Sequence, residues 1–111
     1  MQLPPLIHKY LPRLREVCQQ HRVDKLYAFG SVLTERFDED RSDLDFLVEL
    51  APMPPIEKGE TLMSLWDALE ELFERKVDLL TDQPIKNPYL KRSIDQTKQL
   101  VYDGRSEKIS L

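Results

Sequence analysis

The sequence predicts an α/β (α+β) fold in which a small mixed β-sheet packs with helices. Short apolar segments of strand character, such as "KLYAF" and "DLDFLVEL", alternate with stretches whose apolar residues recur at helical spacing. A chain of 111 residues has the length of one domain and can bury a core without disulfides. Strands that alternate with helices predict a layered structure, and we expect residues 1–111 to form a single domain.

The N-terminal segment has the apolar spacing of a helix that a proline interrupts. Apolar residues recur from Leu6 to Cys18, whereas Pro12 cannot lie inside a continuous helix. The segment therefore predicts a short lead-in turn, followed by a helix with Pro12 near its first position.

Two strands are expected next. "KLYAF" has no polar residue after Lys25, which is typical of a strand covered on both faces, and Gly30 ends it. "DLDFLVEL" alternates with a period of two, so Asp43, Asp45 and Leu47 share one face while the other apolar residues take the opposite face.

The second half of the chain predicts a loop and then a long helix. The three prolines of "APMPPIEKG" indicate a connecting loop, because proline can continue neither a helix nor a central strand. Arg75 and Lys76 follow where the dipole at a helix C-terminus favours cations. The apolar stripe of the helix consists of Leu62, Leu65, Trp66, Leu69, Leu72 and Phe73.

Three short elements complete the prediction. "KVDLLT" reads as a third strand, with Asp78 on the face opposite Val77 and Leu79. "NPYLKRSI" can make one or two helical turns, and "QLVYD" can form a short closing strand.

The net charge of −4 is concentrated in one segment. Between Glu35 and Asp45, six acidic residues stand against two arginines, so this segment alone accounts for the net charge. Overall acidity argues against nonspecific nucleic-acid binding, and its local concentration suits a cation site better than a general aid to solubility.

Cysteine content and hydropathy predict a cytoplasmic protein. Cys18 is the single cysteine, so an internal disulfide cannot form. The N-terminus lacks an apolar signal core, and no apolar run approaches the roughly 20 residues needed to cross a bilayer. We expect no association with membranes.

Asp43 and Asp45 raise the question of what holds two carboxylates together on one strand. At about 4 Å and an effective dielectric constant near 20, their repulsion is on the order of 4 kcal/mol, which a small domain rarely tolerates without a compensating cation. A solvated outer face is the alternative interpretation, although the apolar Leu47 shares that face.

Two further features accompany this pair. Gly30 and Ser31 end a buried strand, and Asp78 lies on the third strand. Taken singly, Gly30 and Ser31 can be a strand end and a helix cap, and Asp78 can be an ordinary charge at the edge of the sheet. Together, a glycine, a hydroxyl and exposed N–H groups suit phosphate oxygens, while carboxylates suit Mg²⁺ shared with those phosphates. Phosphoryl and nucleotidyl transfer both require groups of these kinds.

The segments "FGS", "SDLDFLVEL" and "KVDLL" resemble the DNA-polymerase-β-type nucleotidyltransferase superfamily, and at this length its minimal nucleotidyltransferases, the MntA-type antitoxins paired with HEPN-domain toxins. The resemblance implies the nucleotidyltransferase fold. It makes Gly30 and Ser31 the nucleotide-binding pair, and Asp43, Asp45 and Asp78 the metal ligands and catalytic residues. Asp78 could also serve as the base. The spacer from Val32 to Ser42 is one residue longer than is usual, with the extra residue placed in the polar turn "FDEDRS".

The resemblance implies transfer of a nucleoside monophosphate, AMP by analogy, from an NTP such as ATP to a hydroxyl of a protein partner, with two Mg²⁺ ions. A HEPN-type toxin would be the partner, and the oligomeric state is left open. Two alternatives remain: an antitoxin that neutralises its partner only by covering it, and a small-molecule nucleotidyltransferase. The basic residues Arg36, Lys86, Lys91 and Arg92 are candidates for phosphate contacts, although surface charge is the simpler interpretation.

Overall fold

A computed structural model describes residues 3–34, 42–81 and 87–104. The described chain contains four α-helices, a short 3₁₀ turn and four strands. The helices are α1 (Pro5–Lys9), α2 (Leu11–Gln20), α3 (Pro55–Phe73) and α4 (Pro88–Thr97), and the 3₁₀ turn covers Gly30–Leu33. The strands are β1 (Val23–Phe29), β2 (Leu44–Leu50), β3 (Val77–Thr81) and β4 (Gln99–Asp103).

The four strands form one mixed sheet, as the sequence predicts, and their order in the structure is β3-β2-β1-β4. β1 is antiparallel to both of its neighbours, whereas β2 and β3 are parallel. Two parallel strands need a long crossover connection, and α3 provides it.

The interrupted N-terminal helix is confirmed. α1 and α2 meet at Tyr10, and Pro12 lies in the first turn of α2, where a missing N–H costs no hydrogen bond. Leu14 and Cys18 on α2 have no exposed surface.

α3 begins earlier than expected, so the prediction of a loop through "APMPPIEKG" was wrong for its second half. The helix starts at Pro55, because proline is well suited to the first helical position, where its fixed φ matches the helix. The helix ends at Phe73, and its cap residue Glu74 has a φ of 52°, in the left-handed region. Arg75 and Lys76 follow this cap, and Arg75 Nε donates to the Phe73 carbonyl oxygen at 3.4 Å.

β1 is covered more fully on one face than on the other, which corrects the expectation of two covered faces. Leu26 and Ala28 are fully buried, whereas Tyr27 and Phe29 are half-buried. The helices α1, α2 and α3 place their buried residues in a core on the Leu26 side of the sheet. The opposite face of β1 is therefore available to line a site.

The predicted faces of β2 and β3 are confirmed. Leu44, Phe46 and Val48 belong to the main core, and Val77 and Leu79 join it from β3. Asp45 and Asp78 lie at intervening positions and are half-buried. α4 is longer than the one or two turns expected, and β4 pairs with β1 as the closing strand. No helix in the described ranges is long and apolar enough to span a bilayer.

Candidate active site

The end of β1 brings the backbone of Gly30 against the carboxylate of Asp45. Gly30 opens the 3₁₀ turn with a φ of 79°, in the left-handed region that favours glycine. A Cβ atom at this position would lie 3.2 Å from Asp45 Cγ and closer than 3.0 Å to its Oδ2 atom. The glycine is therefore required both by its backbone angle and by the carboxylate beside it.

Strand pairing places Asp45 at the centre of the site. In the antiparallel pairing of β1 with β2, Asp45 is opposite Phe29. In the parallel pairing of β2 with β3, it is opposite Asp78. Side chains of paired residues project from the same face of a sheet, so Asp45 and Asp78 are neighbours. Asp43 lies two residues before Asp45, just ahead of β2.

Burial and neighbouring carboxylates raise the pKa of Asp45 to about 6. Removal from water is the largest cause, followed by the negative charge of Asp78, a hydrogen bond with Asp78 and the charge of Asp43. Asp45 is thus protonated below this pH and ionised above it. A bound cation would reverse the effect, because positive charge stabilises the carboxylate form.

The donor set fits a hard divalent cation, although the side chains are not already arranged around one. Over residues 3–34, 42–81 and 87–104, no group of three His, Cys, Asp or Glu side chains forms a ready-made metal cluster. A Mg²⁺ ion bound by Asp45 and Asp78 would offset their negative charges, and carboxylate oxygens are ligands that this ion prefers.

Backbone contacts fix the start of β2, from which Asp43 projects. Leu44 N donates to the Lys76 carbonyl oxygen at 3.1 Å, which joins β2 to the residue before β3. Arg75 Nη1 donates to the Ser42 carbonyl oxygen at 3.2 Å. The segment after α3 therefore holds the backbone on both sides of Asp43.

The structure brings Gly30, Asp43, Asp45 and Asp78 to one end of the sheet. The backbone of Ser31 is in the turn after β1, but its side chain is outside the described part of the structure, as are Arg36 and Lys86. Lys91 pairs with Asp95 at 3.3 Å on the exposed surface of α4. Arg92 is also exposed on that helix.

A cavity of about 950 Å³ adjoins the site, and Gly30 is the one residue of its lining that the sequence singled out. Phe29 and Gly30 line the cavity, Phe29 is paired with Asp45 and Gly30 lies against the Asp45 carboxylate, so the cavity opens beside that carboxylate. α4 supplies the opposite wall, and this long-range packing has no local sequence pattern. The polar side chains in its lining are Thr34, Ser93, Thr97 and Gln99.

Comparison with known proteins was made at the level of family, sequence and structure. The sequence model of the family described as "Nucleotidyltransferase domain" matches residues 11–101. Two curated relatives from Methanocaldococcus jannaschii carry the name "Putative protein adenylyltransferase". One is 34% identical over 101 residues, covering 91% of this chain and 94% of the relative. Another is 31% identical over 102 residues, covering 85% and 98%.

Solved structures share the fold at low sequence identity. A protein described as a "putative minimal nucleotidyltransferase" superposes with a TM-score of 0.60 at 21% identity, covering 88% of this chain and 95% of that chain. A chain from the complex of tri-AMPylated Shewanella oneidensis HEPN toxin with MNT antitoxin gives 0.55 at 16% identity, covering 92% and 76%.

The family model spans most of the chain, and the curated relatives match over nearly their whole length. The resemblance carried by "FGS", "SDLDFLVEL" and "KVDLL" is therefore confirmed, as is the prediction of an enzyme of this class. The chain belongs to the nucleotidyltransferase domain family and is a minimal nucleotidyltransferase of the DNA-polymerase-β-like superfamily.

Proposed function

We propose that this nucleotidyltransferase moves AMP from ATP to a hydroxyl group of a protein partner, with Mg²⁺ as cofactor, and that the partner is a HEPN-type toxin. The observation that carries the proposal is the meeting of Gly30, Asp45 and Asp78 at one end of the sheet. The name of the curated relatives supports a protein acceptor and an adenylyl group. The complex of an AMPylated HEPN toxin with its antitoxin supports the choice of partner.

In this proposal the turn after β1 holds the triphosphate. Because Gly30 has no side chain, a phosphate can approach its backbone closely. Backbone N–H groups of the turn and the Ser31 hydroxyl are suitable donors to phosphate oxygens. A solved toxin–antitoxin structure with AMP-PNP, whose fold is similar with a TM-score of 0.56, supports a nucleoside triphosphate as the donor.

The cavity beside Gly30 is proposed to take the nucleoside. Its volume of about 950 Å³ is within the range of small-molecule sites, and such sites combine apolar walls with a few polar groups. Thr34, Ser93, Thr97 and Gln99 line the cavity with side chains of the kinds that hydrogen-bond a base or a ribose.

Asp43, Asp45 and Asp78 are proposed to hold Mg²⁺, with two ions expected. The bound ions would supply positive charge to the reacting phosphate and lower the pKa of the attacking hydroxyl. With its pKa at about 6, Asp45 is largely ionised at neutral pH and can then accept a cation.

Asp78 is proposed as the base. As it accepts the proton of the acceptor hydroxyl, the hydroxyl oxygen bonds to the α-phosphorus of ATP. The bond from that phosphorus to the oxygen bridging to the β-phosphate breaks, and pyrophosphate leaves. The products are an AMP ester on the partner and free pyrophosphate.

The test compares Asp78→Asn and the double variant Asp43→Asn with Asp45→Asn against the parent. Asp67→Asn, which removes one negative charge from an exposed position of α3, is the matched control. With purified HEPN partner, labelled ATP and Mg²⁺, the parent and control should label the partner. Asp78→Asn should lose about 10²-fold or more in rate, and the double variant all detectable transfer, while both still bind the partner.

Two results would redirect the proposal. The partner could stay unlabelled and still be neutralised equally by the parent and by both folded variants. That result would indicate an antitoxin that neutralises its partner by covering it. Labelling of an added small alcohol in preference to the partner would place the enzyme among small-molecule nucleotidyltransferases. A cytoplasmic location and one domain over residues 1–111 are part of the proposal.

A further inference from the structure

β3 is an outer strand of the sheet, so half of its backbone groups face away from β2. Within a strand, the N–H and C=O groups of successive residues point to opposite sides. The Lys76 carbonyl oxygen accepts from Leu44 N at 3.1 Å and therefore points toward β2. The N–H and C=O groups of the next residue, Val77, must point outward.

Two side chains of α3 bond both outward groups of Val77. Trp66 Nε1 donates to the Val77 carbonyl oxygen at 2.6 Å. Val77 N donates to Glu70 Oε2 at 3.0 Å. Trp66 and Glu70 are four residues apart in α3 and thus share a helix face. We name this pair of contacts the Val77 clamp.

The Val77 clamp acts on the residue directly before Asp78. The Val77 side chain is fully buried in the core, and Asp78 projects from the opposite face, next to Asp45. A shift of β3 by one residue would exchange these two faces and remove Asp78 from the site. Within the described part of the chain no strand lies on the outer side of β3, and α3 supplies the restraint that a second neighbouring strand would otherwise give.

We propose that Trp66 and Glu70 are positioning residues that hold Asp78 at its place beside Asp45, acting through the backbone of Val77. The inference rests on the proposed function, in which Asp78 is a metal ligand and the base. It goes further by assigning a catalytic contribution to two α3 residues that touch neither nucleotide nor metal.

This arrangement separates Asp78 from the nucleotide-binding part of the site. Gly30 and the cavity are built from the N-terminal segment, β1, the following turn, α4 and the start of β4, none of which contributes to the Val77 clamp. At saturating Mg²⁺, loosening the clamp should therefore lower kcat while leaving the KM for ATP unchanged. Displacements near 1 Å in an active site typically cost about 10²-fold in rate.

The test uses Glu70 variants that differ in one acceptor oxygen. Glu70→Leu removes the acceptor for Val77 N, whereas Glu70→Gln keeps a side-chain oxygen that can accept the same bond. Glu71→Leu, the same change at an exposed neighbour on α3, is the matched control. Trp66→Phe removes the other half of the clamp while keeping an aromatic ring in the core.

At saturating Mg²⁺, we expect Glu70→Leu and Trp66→Phe to lower kcat about 10- to 100-fold at an unchanged KM for ATP. Both variants should need more Mg²⁺ for half-maximal rate. Glu70→Gln should restore kcat to within about threefold of the parent, since it keeps the acceptor. Each rate is divided by the fraction of folded protein measured by circular dichroism, so that a loss of stability is not mistaken for a loss of kcat.

Amide hydrogen exchange at Val77 gives a readout that needs no enzymatic activity. Exchange at Val77 N–H should be faster in Glu70→Leu than in the parent, with Glu70→Gln and Glu71→Leu close to the parent. Faster exchange in Glu70→Leu at the parent's kcat would overturn the inference, because the clamp would then hold the strand without serving Asp78. Unchanged exchange would show that Glu70 does not restrain Val77, which also overturns it.

The design separates failure of the inference from failure of the proposed function. A parent protein that transfers no AMP to any acceptor would overturn the proposed function and, with it, the catalytic role of the clamp. A parent that is active and a Glu70→Leu variant with the same kcat would overturn only the further inference.

Discussion

Replacing Gly30 with alanine is expected to damage both stability and catalysis, because the new methyl group has nowhere to go. The φ of 79° is unfavourable for any residue with a Cβ, at a cost of roughly 1–2 kcal/mol. The methyl carbon would also lie closer than 3.0 Å to Asp45 Oδ2. Asp45 cannot turn away freely, since it is half-buried between β1 and β3.

Thermal unfolding followed by circular dichroism measures the first effect. For a chain of this size, a loss of 1–2 kcal/mol corresponds to a fall in Tm of about 4–8 °C. The rate of AMP transfer measures the second effect. A displaced Asp45 should lower it by about 10²-fold, beyond any loss of folded protein.

Gly59→Ala is the matched control, because Gly59 is an exposed residue of α3 and a Cβ there would meet no atom within 4 Å. This change should raise stability by about 0.5–1 kcal/mol, since alanine is the better helix former. A Gly30→Ala variant with the parent's Tm and transfer rate would refute the argument that the glycine makes room for Asp45.

Three further predictions concern charge, cation and nucleotide. The pKa of Asp45 is about 6 in the folded chain and 3.8 ordinarily, so the folded state holds the Asp45 proton more tightly than the unfolded state does. Protonated Asp45 therefore stabilises the fold at low pH, and this stabilisation is lost as the pH rises from about 4 to about 6. In denaturant titrations, Asp45→Asn should remove this pH dependence and, at pH 7, raise the free energy of unfolding by on the order of 1 kcal/mol. An unfolding free energy that changes with pH equally in variant and parent would contradict the raised pKa of Asp45. Calorimetry should show Mg²⁺ binding weakly alone and more tightly with ATP, because Mg²⁺ usually shares phosphate ligands; an affinity that ATP leaves unchanged would argue against a joint site. Ser93→Trp should fill part of the cavity and raise the KM for ATP, whereas Gln96→Trp, outside the cavity lining on the same helix, should not; a parent-like KM for the Ser93 variant would place the nucleoside elsewhere.

The sequence was sufficient to predict the strands and the faces of the carboxylates. A period of two in "DLDFLVEL" places Asp45 opposite the core residues, and this holds for any partner that the strand pairs with. The buried stripe of α3 was visible for the same reason, since helical spacing is a local property.

Features that depend on pairing between distant segments could not be predicted in this way. The pairing of Asp45 with Asp78 is set by the register of two parallel strands, and the Val77 clamp by the height of α3 against β3. The start of α3 was missed for a different reason. Pro55 begins the helix rather than preventing it, and the same residue type has opposite effects at a first helical position and inside a helix.

The burial of Cys18 has a practical consequence for spectroscopy. Its side chain has no exposed surface, and burial raises the pKa of its thiol to about 12. The thiolate is the nucleophile that attacks thiol-reactive dyes, so at neutral pH the native protein should remain unlabelled. Because Cys18 is the only cysteine in the sequence, a single cysteine introduced at the exposed Tyr89 would carry a fluorophore at one defined position. Distances from α4 to a labelled partner or nucleotide could then be followed in solution without removing the native cysteine.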